Sequence, residues 1–297
     1  MAVYHFSWDL SWFALVDWPV DRGFGWRLFA AAIATSFLAL VGVSLVLAHE
    51  AGIRWRPALR RIARVALAAG AISLVTWLAL GDQFVRFGIL HAIALGSLIA
   101  LPFVAAPPAV TALAGLIVLA LPLGLRVSFP GDAWFGWTGL VATPPLSVDF
   151  VPVFPWLGVI LLAVAATRVF RDGPAWRSLA AWRARGRIAG LAALAGRHSL
   201  LVYLLHQPIL FGSVWAVVAL GLAPDRTEQT FVETCAMSCS VAAEPGICER
   251  ACQCTLDALK ADGTWTRLLD APDDPALNAR LSDAYGLCRT EIGPARE

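Results

Sequence analysis

Six apolar stretches, each about as long as a lipid bilayer is thick, occupy most of the chain between residues 28 and 222. They lie at 28–48, 62–80, 87–106, 108–125, 151–170 and 199–222. Roughly 20 apolar residues let a helix cross the hydrocarbon core, and in lipid a spanning backbone must satisfy its own hydrogen bonds, which favours helices. With 59% hydrophobic and 15% charged residues, the composition is typical of polytopic membrane proteins rather than soluble ones.

The segment from Met1 to Val16 is also apolar, but it is too short to span comfortably. We interpret it as the outer half of a first helix. The sequence therefore predicts an all-α fold: a polytopic transmembrane helix bundle of about seven helices, the first apparently truncated. We place this membrane domain at residues 1–222 and a small cysteine-rich helical tail at residues 223–297.

Arginines in the links between apolar stretches predict the orientation of the chain. The link after the second helix and the link after the sixth hold most of them: Arg54, Arg56, Arg60, Arg61, Arg64, Arg168, Arg171, Arg177, Arg183, Arg185, Arg187 and Arg197. Positive charge is enriched in cytoplasmic loops, so both links should be cytoplasmic. The tail is then outside the cytoplasm, and we expect a bacterial inner-membrane protein with a periplasmic C-terminal tail.

All six cysteines lie in that tail, between Cys235 and Cys288. Disulfides persist in oxidising compartments, which agrees with the orientation that the arginines predict. Cys235 and Cys239 are four residues apart, as are Cys248 and Cys252, and residues at that spacing share a helix face.

Two antiparallel helices joined around Pro245–Gly246 would favour Cys235–Cys252 and Cys239–Cys248, leaving Cys254 with Cys288. The alternative is a soft metal ion held by Cys252 and Cys254. An even cysteine count without histidine favours disulfides, and we expect no metal. We expect the tail to cap or stabilise the protein.

Ionisable residues within apolar stretches are functional candidates, because they are costly in lipid and usually face a cavity or a partner. His5 and Asp9 are four residues apart in the first helix. A carboxylate at that spacing can orient one ring nitrogen and raise the basicity of the other. The pair is therefore our candidate catalytic base, and the alternative is a structural His–Asp pair.

Further polar residues are predicted to line a cavity or bind substrate. Ser199, Tyr203 and His206 share one face of the last apolar stretch, and Pro208 follows them. His91 lies in the fourth helix. A lone histidine there is more typical of a satisfied interior side chain.

Four motifs together resemble the bacterial integral membrane family related to the catalytic domain of heparan-α-glucosaminide N-acetyltransferase. They are YHFSWDL at 4–10, FGILH at 87–91, DFVPVFPWLG at 149–158 and GRHSLLVYLLHQP at 196–208. The resemblance implies a transmembrane acyltransferase with acyl-CoA, typically acetyl-CoA, as co-substrate, a glycan or sugar acceptor and no bound cofactor. It identifies His5 with the first-helix histidine thought to serve catalysis, and His91 and His206 with histidines of the later motifs.

Relatives carry an Asp-x-x-Arg-Gly-type stretch upstream of the first histidine, so we expect the reading frame to continue upstream of Met1. Two other readings stay open. One is a permease or export component that uses His5, His91 and His206 as a proton relay, and the other is an inactive scaffold that presents the tail. We expect the lipid bilayer, acyl-CoA and the acceptor as partners, and no nucleic acid.

Overall fold

The computed structural model describes residues 1–20, 22–125, 135–143, 145–183, 186–223, 226–239 and 245–292. Within these ranges the regular secondary structure is helical, and an isolated bridge pairs Phe87 with Phe150. The helices are α1 Ala2–Trp12, α2 Phe24–Ala48, α3 Trp55–Leu80, α4 Ile89–Ala100, α5 Pro108–Gly124, α6 Val153–Phe170, α7 Pro174–Ala181, α8 Arg187–Arg197, α9 Ser199–Ala219, α10 Thr227–Cys239, α11 Pro245–Ala261, α12 Thr264–Asp270 and α13 Pro275–Ile292.

The predicted all-α polytopic fold is confirmed. Among the described residues, four helices are long and apolar enough to span a membrane: α2, α3 with the short turn that follows it, α6 and α9. The helices α4 and α5 are apolar but shorter. The apolar stretch 87–106 does not form a single helix. Instead, α4 ends at Ala100, and a 3-10 turn follows over Pro102–Val104. Pro102 has no N–H to continue the α-helical ladder.

The chain divides into two compact units. The first consists of Met1–His5 and Val20–Ile209, and the second of Phe6–Pro19 and Leu210–Glu297. All of the predicted tail, 223–297, falls in the second unit. Residues 126–134 and residue 144, in the long link before α6, lie outside the described residues.

The core of the first unit is organised around α6, which packs most extensively against α5 and α2. Leu38 of α2 and Val164 of α6 are fully buried there. A Cβ added to Gly158 of α6 would lie 2.7 Å from the carbonyl oxygen of Gly115 in α5. Small residues at such crossings let membrane helices approach closely, so glycine sets the packing distance between α5 and α6.

The second unit holds the cysteines, which pair as Cys235–Cys252, Cys239–Cys248 and Cys254–Cys288. This is the pairing that the helical spacing favoured. Pro245 begins α11 rather than lying in the connection between helices, because proline is well accommodated at a helix start. A small apolar core around Leu256, Leu259, Trp265 and Leu277 supports the disulfides.

Candidate functional site

Two histidines from opposite ends of the first unit's sequence lie side by side. The ring centroids of His5, in α1, and His206, in α9, are 5.0 Å apart, and the rings meet edge to face at 68°. Both belong to the first compact unit, and both are half-buried. Two of the predicted site residues are therefore brought together, although they come from different helices.

The hydrogen bonding of His206 defines which of its nitrogens can react. Its Nδ1 lies 2.5 Å from the backbone carbonyl oxygen of Tyr203. A carbonyl oxygen only accepts, so Nδ1 carries a proton, and in the neutral imidazole the lone pair is then on Nε2. Nε2 is buried and has no hydrogen-bond partner among the described residues. Buried polar atoms are normally satisfied, so this exception marks a position at which a substrate atom could bind.

The ring of His5 is held by aromatic neighbours. Its centroid lies 6.0 Å from that of Tyr4, and Tyr4 in turn packs against Trp26 and Phe29 at the start of α2. No hydrogen bond to either ring nitrogen of His5 is present within the described part of the chain. His5 is thus positioned by packing, and its nitrogens remain available to a ligand.

Tyr203 connects the histidine pair to a buried carboxylate. Its ring centroid lies 5.5 Å from that of His206, and its hydroxyl is within electrostatic range of Asp149. Tyr203 also packs against the main apolar core of the first unit. Tyr203 is therefore in contact with His206 and influenced by the charge of Asp149.

Asp149 caps the N-terminus of α4. Its Oδ2 accepts a hydrogen bond of 2.9 Å from the backbone N–H of Ile89, the first residue of that helix. A carboxylate is favourable there because the first N–H groups of a helix lack partners and carry partial positive charge. A Cβ on Gly88 would overlap this carboxylate, so glycine is required beside it.

Two loops hold Asp149 in place by pairing with each other. The backbone N–H of Val151 donates to the carbonyl of Phe87 at 2.9 Å, and that of Val148 donates to Gln83 at 3.0 Å. The hydroxyl of Ser147 lies 3.0 Å from the carbonyl oxygen of Phe84. The motifs at 87–91 and 149–158 are therefore parts of one structural feature.

Burial raises the pKa of the Asp149 carboxyl, while the hydrogen bond from the Ile89 N–H acts in the opposite direction. The residue as a whole is half-buried, but its carboxyl group is enclosed by protein atoms. Desolvation is the larger effect because a charged oxygen loses its water shell there. Asp149 therefore holds its proton more strongly than an exposed aspartate does.

The structure places His91 in the same cap rather than beside His5. Its Nδ1 accepts a hydrogen bond of 3.2 Å from the backbone N–H of Gly88, and its Nε2 lies 3.3 Å from the hydroxyl of Ser73. Ser73 in turn donates to the carbonyl of Val85 at 2.6 Å. Both ring nitrogens of His91 thus have protein partners, which is an arrangement that fixes the start of α4.

The other predicted site residues lie as follows. Asp9 is one turn beyond His5 along the continuous helix α1, is fully buried, and belongs to the second unit. Ser199 is the exposed first residue of α9, one turn before Tyr203. No group of three or more His, Cys, Asp or Glu side chains within the described ranges is arranged to hold a metal ion.

Asp149 is the residue that sequence reasoning missed. It opens the motif DFVPVFPWLG, but it stands outside the apolar stretches, so the search for ionisable residues in lipid passed over it. A carboxylate placed immediately before a membrane helix and followed by Pro152 and Pro155 was the available signal.

A family model described as heparan-alpha-glucosaminide N-acetyltransferase, catalytic, matches residues 1–208. The match includes every residue of the site described above, and it ends before the cysteine-containing helices. No curated protein and no solved structure matches the chain.

Proposed function

Because this chain belongs to the heparan-alpha-glucosaminide N-acetyltransferase catalytic family, we propose that it transfers an acyl group, typically acetyl, from cytoplasmic acyl-CoA to a glycan or sugar acceptor on the periplasmic side. It is a multi-pass membrane protein with apolar helices of spanning length, and we place it in a bacterial inner membrane. The proposed reaction replaces a thioester bond with an ester or amide bond.

The observation that carries this proposal is the buried, unpartnered Nε2 of His206 beside the ring of His5. A general base needs a lone pair aimed at the proton that it removes. The Tyr203 carbonyl favours the tautomer of neutral His206 that carries its proton on Nδ1, and in that tautomer Nε2 is the nitrogen that can act as the base. This geometry adds His206 to the catalytic role that the sequence assigned to His5.

In the proposed reaction the acceptor hydroxyl or amine loses its proton to a histidine nitrogen as its oxygen or nitrogen attacks the acyl carbonyl. The C–S bond breaks as the new C–O or C–N bond forms, and the proton passes to the departing CoA thiolate. A covalent route uses the same pair, with a histidine nitrogen as the transient acyl carrier. Edge-to-face packing allows the second imidazole to stabilise or relay the proton that the first one holds.

The cytoplasmic origin of the donor is supported by arginines at the inner ends of the helices. Arg168 and Arg171, with His49 and Glu50 after the end of α2, line a cavity of about 220 Å³ in the first unit. CoA carries phosphates, and guanidinium groups bind phosphate oxygens well. The positive-inside rule alone also explains arginines at this position. They therefore support a cytoplasmic acyl-CoA donor only in combination with the histidine pair.

The periplasmic position of the tail is supported by the three disulfides. Such bonds are rare in the reducing cytoplasm. With the tail outside, α9 ends at the periplasmic face, and the Arg-rich links lie inside.

The proposal is tested with radiolabelled acetyl-CoA supplied to inverted membrane vesicles from cells with and without the gene. We expect label in the membrane glycan fraction only when the gene is present. A variant with His206 replaced by Asn keeps a side-chain donor for the Tyr203 carbonyl but lacks Nε2, and it serves as the inactive control. Equal labelling in all three preparations would contradict the enzyme and favour a permease or a scaffold.

A further inference from the structure

A large cavity lies entirely within the second unit, and most of the residues that line it lie outside the family match. It has a volume of about 1200 Å³. Its walls come from the segment after α1, the C-terminal end of α9, and the tail helices α10, α12 and α13. We refer to this cavity as the tail cleft. A disulfide-bonded domain that only caps the protein has no need of such a space.

The inner wall of the tail cleft is mainly apolar and aromatic. Phe231 and Trp265 pack edge to face with ring centroids 5.2 Å apart. Leu268, Leu281 and the 49% exposed Leu269 continue the wall. Trp265 and Leu268 are buried in the core of the tail, whereas Leu269 is exposed and Phe231 and Leu281 are half-buried. Apolar surface left open to water is unfavourable and marks a site for an apolar ligand.

The charged side chains that line the tail cleft are all positive. Arg226 and Arg289 both line it, and no Asp or Glu does so among the described residues. Arg226 donates through Nε to the side-chain oxygen of Gln229 at 2.9 Å. The neighbouring Glu228 is already paired with Lys260 at 2.7 Å. Neither arginine has an acidic partner within the described part of the chain, so both guanidinium groups can bind an anion.

The volume of the tail cleft and its position at the end of α9 indicate a large ligand at the membrane surface. The volume exceeds the roughly 300–1,000 Å³ of pockets for drug-sized molecules. Val218 and Gly221, at the end of the spanning helix α9, line the cleft. The cleft therefore opens at the level where a membrane helix leaves the hydrocarbon, and lipid headgroups lie at that level.

We propose that the tail cleft binds an anionic phospholipid, with its acyl chains against Phe231, Leu269 and Leu281 and its phosphate at Arg226 and Arg289. Guanidinium–phosphate contacts are charge-assisted and geometrically specific. The apolar wall supplies affinity and the arginines select the anionic headgroup. The tail thereby acts as a lipid-binding domain as well as a disulfide-stabilised cap.

The test uses the full-length protein in nanodiscs that contain a trace of phospholipid with a photoreactive acyl chain. One set carries the probe on phosphatidylglycerol and the other on phosphatidylcholine. After illumination, labelled peptides are mapped by mass spectrometry. We expect phosphatidylglycerol to label the peptides around Phe231, Leu269 and Leu281 several-fold more than phosphatidylcholine does.

Variants then separate charge from packing. Arg226→Gln with Arg289→Gln should lower phosphatidylglycerol labelling of the cleft about tenfold or more, because two charge-assisted contacts are lost. Arg250→Gln is the matched control, since Arg250 is exposed on α11 and does not line the cleft. Leu269→Asp should reduce labelling from both lipids. Intact disulfides in each variant, checked by mass, show that the tail has folded.

Three results would overturn the proposal. The first is labelling confined to the spanning helices. The second is equal labelling by the two lipids, or labelling unaffected by loss of both arginines. The third is displacement of phosphatidylglycerol by millimolar inorganic phosphate alone, which identifies a soluble phosphate site instead of a lipid site.

Discussion

Gly88 and the carboxylate of Asp149 lie so close together that a Cβ on Gly88 would overlap Oδ2 of Asp149. The two residues come from different motifs, and their contact joins the start of α4 to the loop before α6. The same carboxylate is within electrostatic range of Tyr203, whose ring packs against His206. Tyr203 therefore links the cap of α4 electrostatically to the histidine pair.

Gly88→Ala should destabilise the protein, because its methyl group forces the Asp149 carboxylate away from the Ile89 N–H. Overpacking of this kind costs about 1–3 kcal/mol. Unfolding in detergent, followed by tryptophan fluorescence, measures the change. Gly70→Ala in α3 is the control, since nothing lies within 4 Å of its added Cβ. Combining Gly88→Ala with Asp149→Ala should be less than additive, and strict additivity would show that the two residues are independent.

Asp149→Asn should change how stability depends on pH. Because burial raises the pKa of Asp149 in the folded state, the unfolded chain releases this proton first as pH rises. As the pH rises from the unfolded-state pKa of 3.8 to the higher folded-state pKa, the wild-type protein loses the contribution of Asp149 to its stability. The Asn side chain keeps an acceptor for Ile89 and does not ionise. The Tm of the Asn variant should therefore rise relative to that of the wild type between pH 4 and pH 7. A difference in Tm that does not change with pH would contradict a raised pKa of Asp149.

The tail cysteines should be inaccessible to thiol reagents until they are reduced. On intact spheroplasts, a membrane-impermeant maleimide should label none of the six before reduction and several afterwards, since all six are paired. Labelling after reduction from the outside supports the periplasmic position. Thiols that react only in inverted vesicles would place the tail in the cytoplasm.

Much of the fold could be predicted because it depends on local patterns. Apolar length anticipated α2, α6 and α9 closely, and the four-residue cysteine spacing favoured the observed disulfide pairing of the tail. The end of α4 at Ala100 could not be read from hydropathy, which does not register that Pro102 lacks a donor.

The site was only partly predictable because its key contacts are non-local. The spacing of His5 and Asp9 suggested a pair within α1, but spacing cannot report that His206 packs against His5. Likewise, nothing in the sequence around His91 shows that Gly88 and Ser73 occupy both of its ring nitrogens. Side chains that meet across helices become visible only when the packing of those helices is known.

Asp9→Asn should give an intermediate defect in acyl transfer. The amide keeps the shape of the fully buried carboxylate but removes its charge. If Asp9 orients an imidazole through charge, transfer should fall less than on loss of the imidazole itself, with Tm little changed. A loss of Tm without a loss of specific activity would instead make Asp9 a packing residue.

His5→Ala and His206→Asn should each lower transfer by about 10²–10⁴-fold, the usual cost of losing a general base. The side chain of His5 makes no hydrogen bond within the described residues, and Asn at 206 can still donate to the Tyr203 carbonyl, so abundance and Tm should stay near wild type. His198→Ala, at an exposed position outside the pair, is the matched control and should retain full transfer. If the two histidines act as one unit, the double variant should be scarcely worse than either single variant. Full transfer by His5→Ala would remove that residue from the mechanism, and loss of folding in both variants would make the pair structural.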